Sequence, residues 1–399
     1  MMKKTLLATT ALISVAYAGS TLAQESMVMA PQGTDASLGG FYEFGYNSFS
    51  QSAEIGPDNR TLDESRTYGD SELFLSFSRT SDAGLEYGMD VQMEIVNGGE
   101  SVPNSGGQGD VDEASMYIAG PFGRFVIGNN DPASDSFLTW LGTAGSYGQD
   151  DVQNGLPDYI FRANGNRVVA ESDGTNYLNA RAVRVKPFAV NPSYDDGSKI
   201  AYFSPDLDGF RFGASWEDTG DEDDDISYGG ELTRGVGDWG DLTVRFAYRD
   251  DSDRVVETGQ VETDESVSYG AELTLWDDID ITLGYAKIDN FRLGAPDPTD
   301  DFDHRIRTTA GGVGYQVNDR LYVSYFSAES EAKNHLGEGG DQEGEFSSIS
   351  ASYEFAPGLS FALSFNTFEI TETVRTGANA GDKYSNEGDE VVSELEVSF

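Results

Sequence analysis

From Ala36 to the last residue, apolar and polar side chains alternate at successive positions in segments of about ten residues. That period puts one set on each face of a β-strand, and that length lets a tilted strand cross a bilayer. The pattern is clearest near 85–95, where Leu85, Tyr87, Met89, Val91, Met93 and Ile95 share one face and Glu86, Gly88, Asp90, Gln92 and Glu94 the other. It recurs at the end, where Val391, Ser393, Leu395, Val397 and Phe399 point one way and Glu394 and Glu396 the other. Sixteen such segments predict sixteen strands, near 36–46, 70–79, 85–95, 111–119, 123–129, 197–204, 208–217, 225–234, 240–249, 265–275, 279–288, 305–317, 320–328, 345–355, 358–368 and 389–399. A final strand with one oily face needs a partner on each edge, and the first strand, near Phe41 to Tyr46, is the partner expected to close the sheet on itself.

The connections sort into two kinds. Seven are tight, each joining an even-numbered strand to the next: 80–84, 120–123, 205–209, 235–240, 276–278, 318–319 and 356–358. They are rich in Gly, Pro, Asn and Asp, the residues that supply positive φ, preset φ and side-chain capping. The other eight are mostly longer and polar. Short turns at one end and long loops at the other is the topology of an outer-membrane barrel, and an even strand count puts both termini on the periplasmic side. A propeller or sandwich has no reason to alternate short and long connections, and no blade-length repeat is present. The expected fold is all-β, a sixteen-stranded antiparallel transmembrane β-barrel. One connection, 129–197, is too long to be idle, and it must either cover the mouth or fold into the lumen.

Composition narrows the reading. Lys3 and Lys4, the apolar run Leu6 to Ala18 and the small residues Ser20-Thr21-Leu22-Ala23 form a secretory signal over residues 1–23, with cleavage after Ala18 as the alternative; residues 24–399 form a single barrel domain. Removing residues 1–23 takes away two lysines and no acid, leaving 23 basic and 70 acidic residues and a net charge of −47. Such a chain repels nucleic acid and attracts cations. There are no cysteines, so stability comes from hydrogen-bond closure and packing rather than disulfides. With 20 Tyr, 23 Phe and no later apolar run of helix-spanning length, aromatic girdles on a closed sheet fit the chain better than an acidic globular enzyme does.

The signal, the sixteen-strand alternation, the long connection after Gly123-Arg124-Phe125-Val126-Ile127-Gly128-Asn129 and the terminal Phe399 together resemble the general porins of Gram-negative bacteria, nearest the alphaproteobacterial type. The resemblance covers essentially the whole mature chain. It implies a homotrimeric outer-membrane channel, exported through the periplasm, for passive diffusion of small hydrophilic solutes and ions. It further implies a third long loop folded inward as a constriction, and a terminal aromatic read during barrel assembly.

Strand parity places Arg124, Lys199, Arg211, Arg245 and Arg249 on the inward face, a basic sector of the wall. The long connection supplies the opposite sign through Asp131, Asp135, Asp150, Asp151 and Asp158, with Arg162, Arg167, Arg181, Arg184 and Lys186 as secondary candidates. Two readings stand together: a charged eyelet whose transverse field selects solutes, and pairs that pin the loop. The acidic mouth and loop predict a mild cation preference. Acids such as Asp221, Asp223 and Asp225 offer hard oxygen ligands to Ca²⁺, or to divalent bridges with lipopolysaccharide; a solvated repulsive loop is the alternative. No other cofactor is expected. Against a barrel enzyme stands the supply of bases: His304 and His335, in or near external loops, belong to no triad or metal spacing. A solute-selective channel, and a structural or adhesive barrel with a plugged lumen, are the remaining alternatives.

Overall fold

The structure is a computed structural model and describes residues 33–55, 58–96, 110–139, 197–218, 224–250, 261–262, 265–289, 292–293, 305–333, 341–373 and 383–399. In chain order its strands are β1 (Asp35–Ile55), β2 (Asp58–Thr80), β3 (Glu86–Val96), β4 (Asp110–Gly120), β5 (Gly123–Asn130), β6 (Gly197–Phe203), β7 (Phe210–Glu217), β8 (Asp225–Gly235) and β9 (Gly240–Asp250). They continue with β10 (Val261–Glu262), β11 (Glu265–Leu275), β12 (Ile279–Asp289), β13 (Arg292–Leu293), β14 (Arg305–Asn318), β15 (Leu321–Lys333), β16 (Asp341–Ala356), β17 (Leu359–Thr373) and β18 (Lys383–Ser398). All except β10 and β13 form one closed antiparallel barrel of sixteen strands, each paired with its barrel neighbours in sequence order. The strands β10 and β13 pair only with each other, in a small ribbon between long connections that periodicity did not reveal.

Closure is made where it was expected. Strand β1 lies antiparallel to β18, from Phe41 opposite Ser398 to Ala53 opposite Asn386. One residue further, Gly40 and Phe399 exchange backbone hydrogen bonds, at 3.2 Å from Gly40 N and 3.0 Å from Phe399 N. A side chain on Gly40 would meet the Glu72 carbonyl oxygen at 2.5 Å, so the absence of a Cβ lets the three strands come together there. On the lumenal side of the seam, Glu390 is buried and accepts from the amide nitrogens of Asn47 on β1 and Asn366 on β17, the latter at 2.9 Å. A buried carboxylate is tolerated when both oxygens are hydrogen-bonded, and here the bonds reach across both flanking pairings of β18.

The faces divide as alternation requires. Tyr42, Phe44, Tyr87, Trp216, Tyr269, Tyr325, Tyr353 and Phe365 are exposed on the outer surface, with Tyr248 and Tyr285 half-buried beside them. Rings touch around the wall in continuous series: Phe122, Phe125, Tyr202 and Phe212 toward the short turns, and Tyr228, Phe246, Tyr269 and Tyr285 further out. The tight turns carry the strain of reversal at Gly84, Gly209, Gly237 and Gly358, each with positive φ. In the turn at 276–278, Trp276 and Asp277 adopt φ of 54° and 63°, a primed hairpin conformation usually left to Asn and Gly.

The strands run longer than their hydrophobic pattern. Strand β1 continues to Ile55 rather than ending near 46, and β2 begins at Asp58 rather than 70, so that Ile55 pairs with Asp58 and the first outer connection is short. Strands β15, β17 and β18 extend in the same direction. There the outward row is polar, with Glu329, Glu345, Glu369 and Glu387 opposite one another across β15 to β18. Backbone pairing continues past the apolar band, while the oily-to-polar alternation that marks a strand in sequence stops at its edge.

Deleting Phe399 removes the last reciprocal pair of the seam together with its aromatic. The expected result is a several-fold loss of folded, heat-modifiable barrel, while pores that do form keep wild-type conductance. An unchanged folded yield would refute this role.

Candidate functional site

Strands β5, β6, β7 and β9 each bring a basic side chain to the lumenal face, and each meets a partner there. Near the short-turn end, Arg124 on β5 donates from Nη2 to Asp90 on β3 at 2.8 Å and lies 3.7 Å over the ring of Tyr117. Lys199 on β6 is buried, with Nζ 3.3 Å from Glu217 on β7. Arg211 on β7 stands opposite Glu231 on β8, which stands opposite Arg245 on β9. Glu231 accepts from Arg211 Nε at 2.7 Å on one oxygen and from Arg245 Nε at 3.1 Å on the other, and Arg245 Nη1 donates to Glu272 on β11 at 2.7 Å. The result is a rail of alternating sign across β7, β8, β9 and β11. Arg249, also on β9, is buried two inward rows nearer the long connections.

The segment after β5 turns inward over this wall. Ala133 N donates to Ser215 Oγ on β7 at 3.0 Å, and Ser134 N donates to Ser227 Oγ on β8 at 3.2 Å; the two hydroxyls are 2.6 Å apart. A single 3-10 turn, Asp135–Phe137, follows, and Phe137 packs with Leu138 against Ala247 and Ala286. The wall is hollowed to receive it. A Cβ on Gly229 would lie 2.7 Å from Phe137 Cδ2, one on Gly213 would lie 3.0 Å from Phe137 Cε2, and one on Gly270 would fall inside the Thr139 side chain. Small residues on the lumenal face of five strands thus form a groove, and residues 131–139 lie in it as the root of an inward-folded third loop. The row Gly213, Gly229 and Ala247 beneath Phe137 is the next inward row above Arg211, Glu231 and Arg245.

Two of the five loop acids therefore meet the wall. Asp135 is half-buried beside Arg249 and accepts from Ser134 Oγ at 3.1 Å. Loss of hydration and the charge of Asp131 push its carboxyl up to about 7, against the pull of Arg249 and Lys199. Asp131 is shifted upward as well, chiefly by desolvation, with Lys199 opposing. Asp150, Asp151, Asp158 and the secondary basic candidates from Arg162 to Lys186 lie outside the described residues, as do Asp221, Asp223, His304 and His335. Asp225 is buried at the start of β8. Among the described residues no group of three or more His, Cys, Asp or Glu is arranged to hold a metal. Strand parity singles out the basic residues; their partners Asp90, Glu217, Glu231 and Glu272 sit at equally legible inward positions.

A closed sixteen-stranded wall with polar inward rows and a segment folded into its lumen is a channel architecture, and the sequence comparison agrees. A profile of the Gram-negative porin family matches residues 8–373. The chain belongs to this family. The porin also shares its fold with solved structures: an anion-selective porin from Comamonas acidovorans (14% identity, TM-score 0.54, covering 92% of this chain and 100% of that one) and a mutant of the Rh. blastica porin (15%, 0.52, 92% and 100%). A third is the outer membrane protein OmpT of Vibrio cholerae in a trimer form (13%, 0.52, 90% and 99%). No curated protein matches the sequence. The molecule is thus an outer-membrane porin channel, and its family points to a channel rather than an enzyme.

Two outcomes are expected of the groove. Gly270→Val leaves no room for Thr139, so it should displace the segment and change single-channel conductance while folded yield is kept; wild-type currents would show that the groove does not hold the segment. Ionising Asp135 is harder at the wall than in free water, so protonation favours the seated segment. That support is complete below the ordinary carboxylate value of 3.8 and is lost as pH rises through about 7. Open-channel current noise should therefore increase from pH 6 to pH 8 in the wild type and stay flat in Asp135→Asn.

Proposed function

We propose that this porin passes small hydrophilic solutes and ions by passive diffusion with a mild preference for cations, and that residues 131–139 with the basic wall form its selective eyelet. The observation that carries the reading is the state of the basic wall. Arg124, Lys199, Arg211 and Arg245 each contact a wall carboxylate, and Arg249 stands beside Asp135. A guanidinium with a carboxylate in contact presents a dipole rather than a full charge to a passing ion, so the sector attracts anions weakly. Halfway around the barrel order, β18 and β1 carry Glu394 and Glu43 at lumenal positions. The acidic excess of the whole chain acts in the same direction at the mouth. Opposed sectors across a narrow gap order water and hinder apolar solutes, which fits general diffusion of hydrophilic ones.

The oligomer belongs to the same proposal. OmpT of Vibrio cholerae is described in a trimer form. On this chain the outward face of β2 to β4 is suited to a second copy. Met89 stands opposite Met116, Leu73 opposite Met93 and Val91 opposite Ala114, a patch of adaptable side chains with few aromatics. The rest of the outer wall, with its girdles, is suited to lipid and lipopolysaccharide. Residues 1–23 are the export signal in this reading, and the mature protein begins at Gln24.

Purified protein in bilayers under asymmetric KCl should give a reversal potential of cation-selective sign, and an anion-selective sign would overturn the preference. Proteoliposomes should swell in small sugars; a plugged barrel would not admit them. In detergent the native mass should be that of three protomers, with Met116→Asp lowering the trimer fraction at constant barrel content, whereas a purely monomeric wild type would remove the trimer.

A further inference from the structure

We infer, on the strength of the channel reading above, that Glu231 is the residue that sets the ion preference of this pore: it masks two arginines at once, and without it the same wall would favour anions. Glu231 is placed to do this by register. It stands between Arg211 and Arg245 on the lumenal face, one residue of β8 directly opposite one residue on each neighbouring strand. Its two oxygens are divided between the two guanidiniums, Oε1 accepting from Nε and Nη2 of Arg211 and Oε2 from Nε of Arg245. The glutamate side chain is only 7% accessible, whereas that of Arg211 is 58% accessible to the lumen. A passing ion therefore meets the guanidinium edge of the rail, with the compensating charge fixed directly behind it.

The location gives that pairing its leverage. The rail lies one inward row on the short-turn side of Gly213, Gly229 and Ala247, the row over which Phe137 packs. A solute that clears the inward-folded segment meets the rail next, where a low-dielectric wall focuses the field of any uncompensated charge. Glu272 extends the rail but contacts only Arg245, so it can neutralise one arginine and not both. Arg124, with Asp90 and the Tyr117 ring as separate partners, lies outside the rail. Glu231 thus contacts two basic side chains of the wall at once, one with each oxygen.

An uncompensated unit charge roughly 8 Å from a permeating ion, partly screened at about 0.1 M salt, changes the cation-to-anion permeability ratio by about two- to five-fold. Reversal potentials in asymmetric KCl for Glu231→Gln, Arg211→Gln and the double variant measure this. Glu231→Gln should shift the ratio toward anions by that factor, Arg211→Gln should shift it toward cations, and the double variant should return near the wild type. A glutamate that merely packs the wall would not give opposite signs with restoration. A conducting Glu231→Gln pore with wild-type reversal potential overturns the proposal. Should Glu231→Gln yield no folded pores, Glu272→Gln decides: a smaller shift toward anions supports the rail, and no shift refutes it. A wild type that conducts nothing would instead fail the channel reading itself, a separate result.

Discussion

The structure depends on one constraint: in lipid, a backbone amide or carbonyl has no water to fall back on, so each must find a partner within the chain. Antiparallel pairing supplies partners along every strand, but a sheet leaves two edges open. Joining β1 to β18 removes both, and the exchange between Gly40 and Phe399 carries pairing to the last residue. Alternation follows from the same constraint. Once the wall is a single closed layer, each strand has lipid on one side and water or lumenal contacts on the other, and side chains have only two environments to choose between. That is why exposed Leu, Ile, Phe and Tyr on the outer surface stabilise the barrel in its membrane instead of marking a defect.

A wall of this kind is too wide to be filled by its own side chains. Here the chain narrows the lumen by laying part of itself against the wall, and complementarity between the two is steric first and electrostatic second. Glycines at 213, 229 and 270 make room, serines at 215 and 227 supply acceptors for the segment's backbone, and Phe137 fills the hollow. The charges then compensate within the wall, arginine against glutamate across neighbouring strands, before they compensate with the loop. A charged sector can thus shape the field in the pore without imposing its net sign on the flow.

Much of this was legible from sequence, and the divisions have physical causes. Strand identity, strand number and the seam were readable because a two-residue period is a direct image of a two-sided wall. Strand ends were not readable at the outer rim, since beyond the apolar band both faces are polar: nothing in Ser48, Ser50 or Glu387 distinguishes a paired strand from a loop. The basic sector was found through parity. The contact of Glu231 with Arg245 was also recoverable, because the tight turn between Gly235 and Gly240 fixes the register of β8 against β9. Its contact with Arg211 was not, because the acidic stretch between β7 and β8 carries no sequence signal of a tight turn that would set register. Nor did the groove announce itself, because a glycine inside a strand reads as weak pairing until the side chain that occupies its space is known.

The seam also has a consequence in time. Asn47 and Glu390, which meet across it, are 343 residues apart, so closure is among the most distant contacts the chain makes. Distant contacts form late, after the entropy of the intervening chain has been overcome. Until the final strand is in place, the nascent sheet carries two unsatisfied edges that would accept any stray strand as readily as each other. The interval between export and closure is therefore the period in which this molecule is most prone to aggregate, and its length depends on how quickly its last residues reach its first.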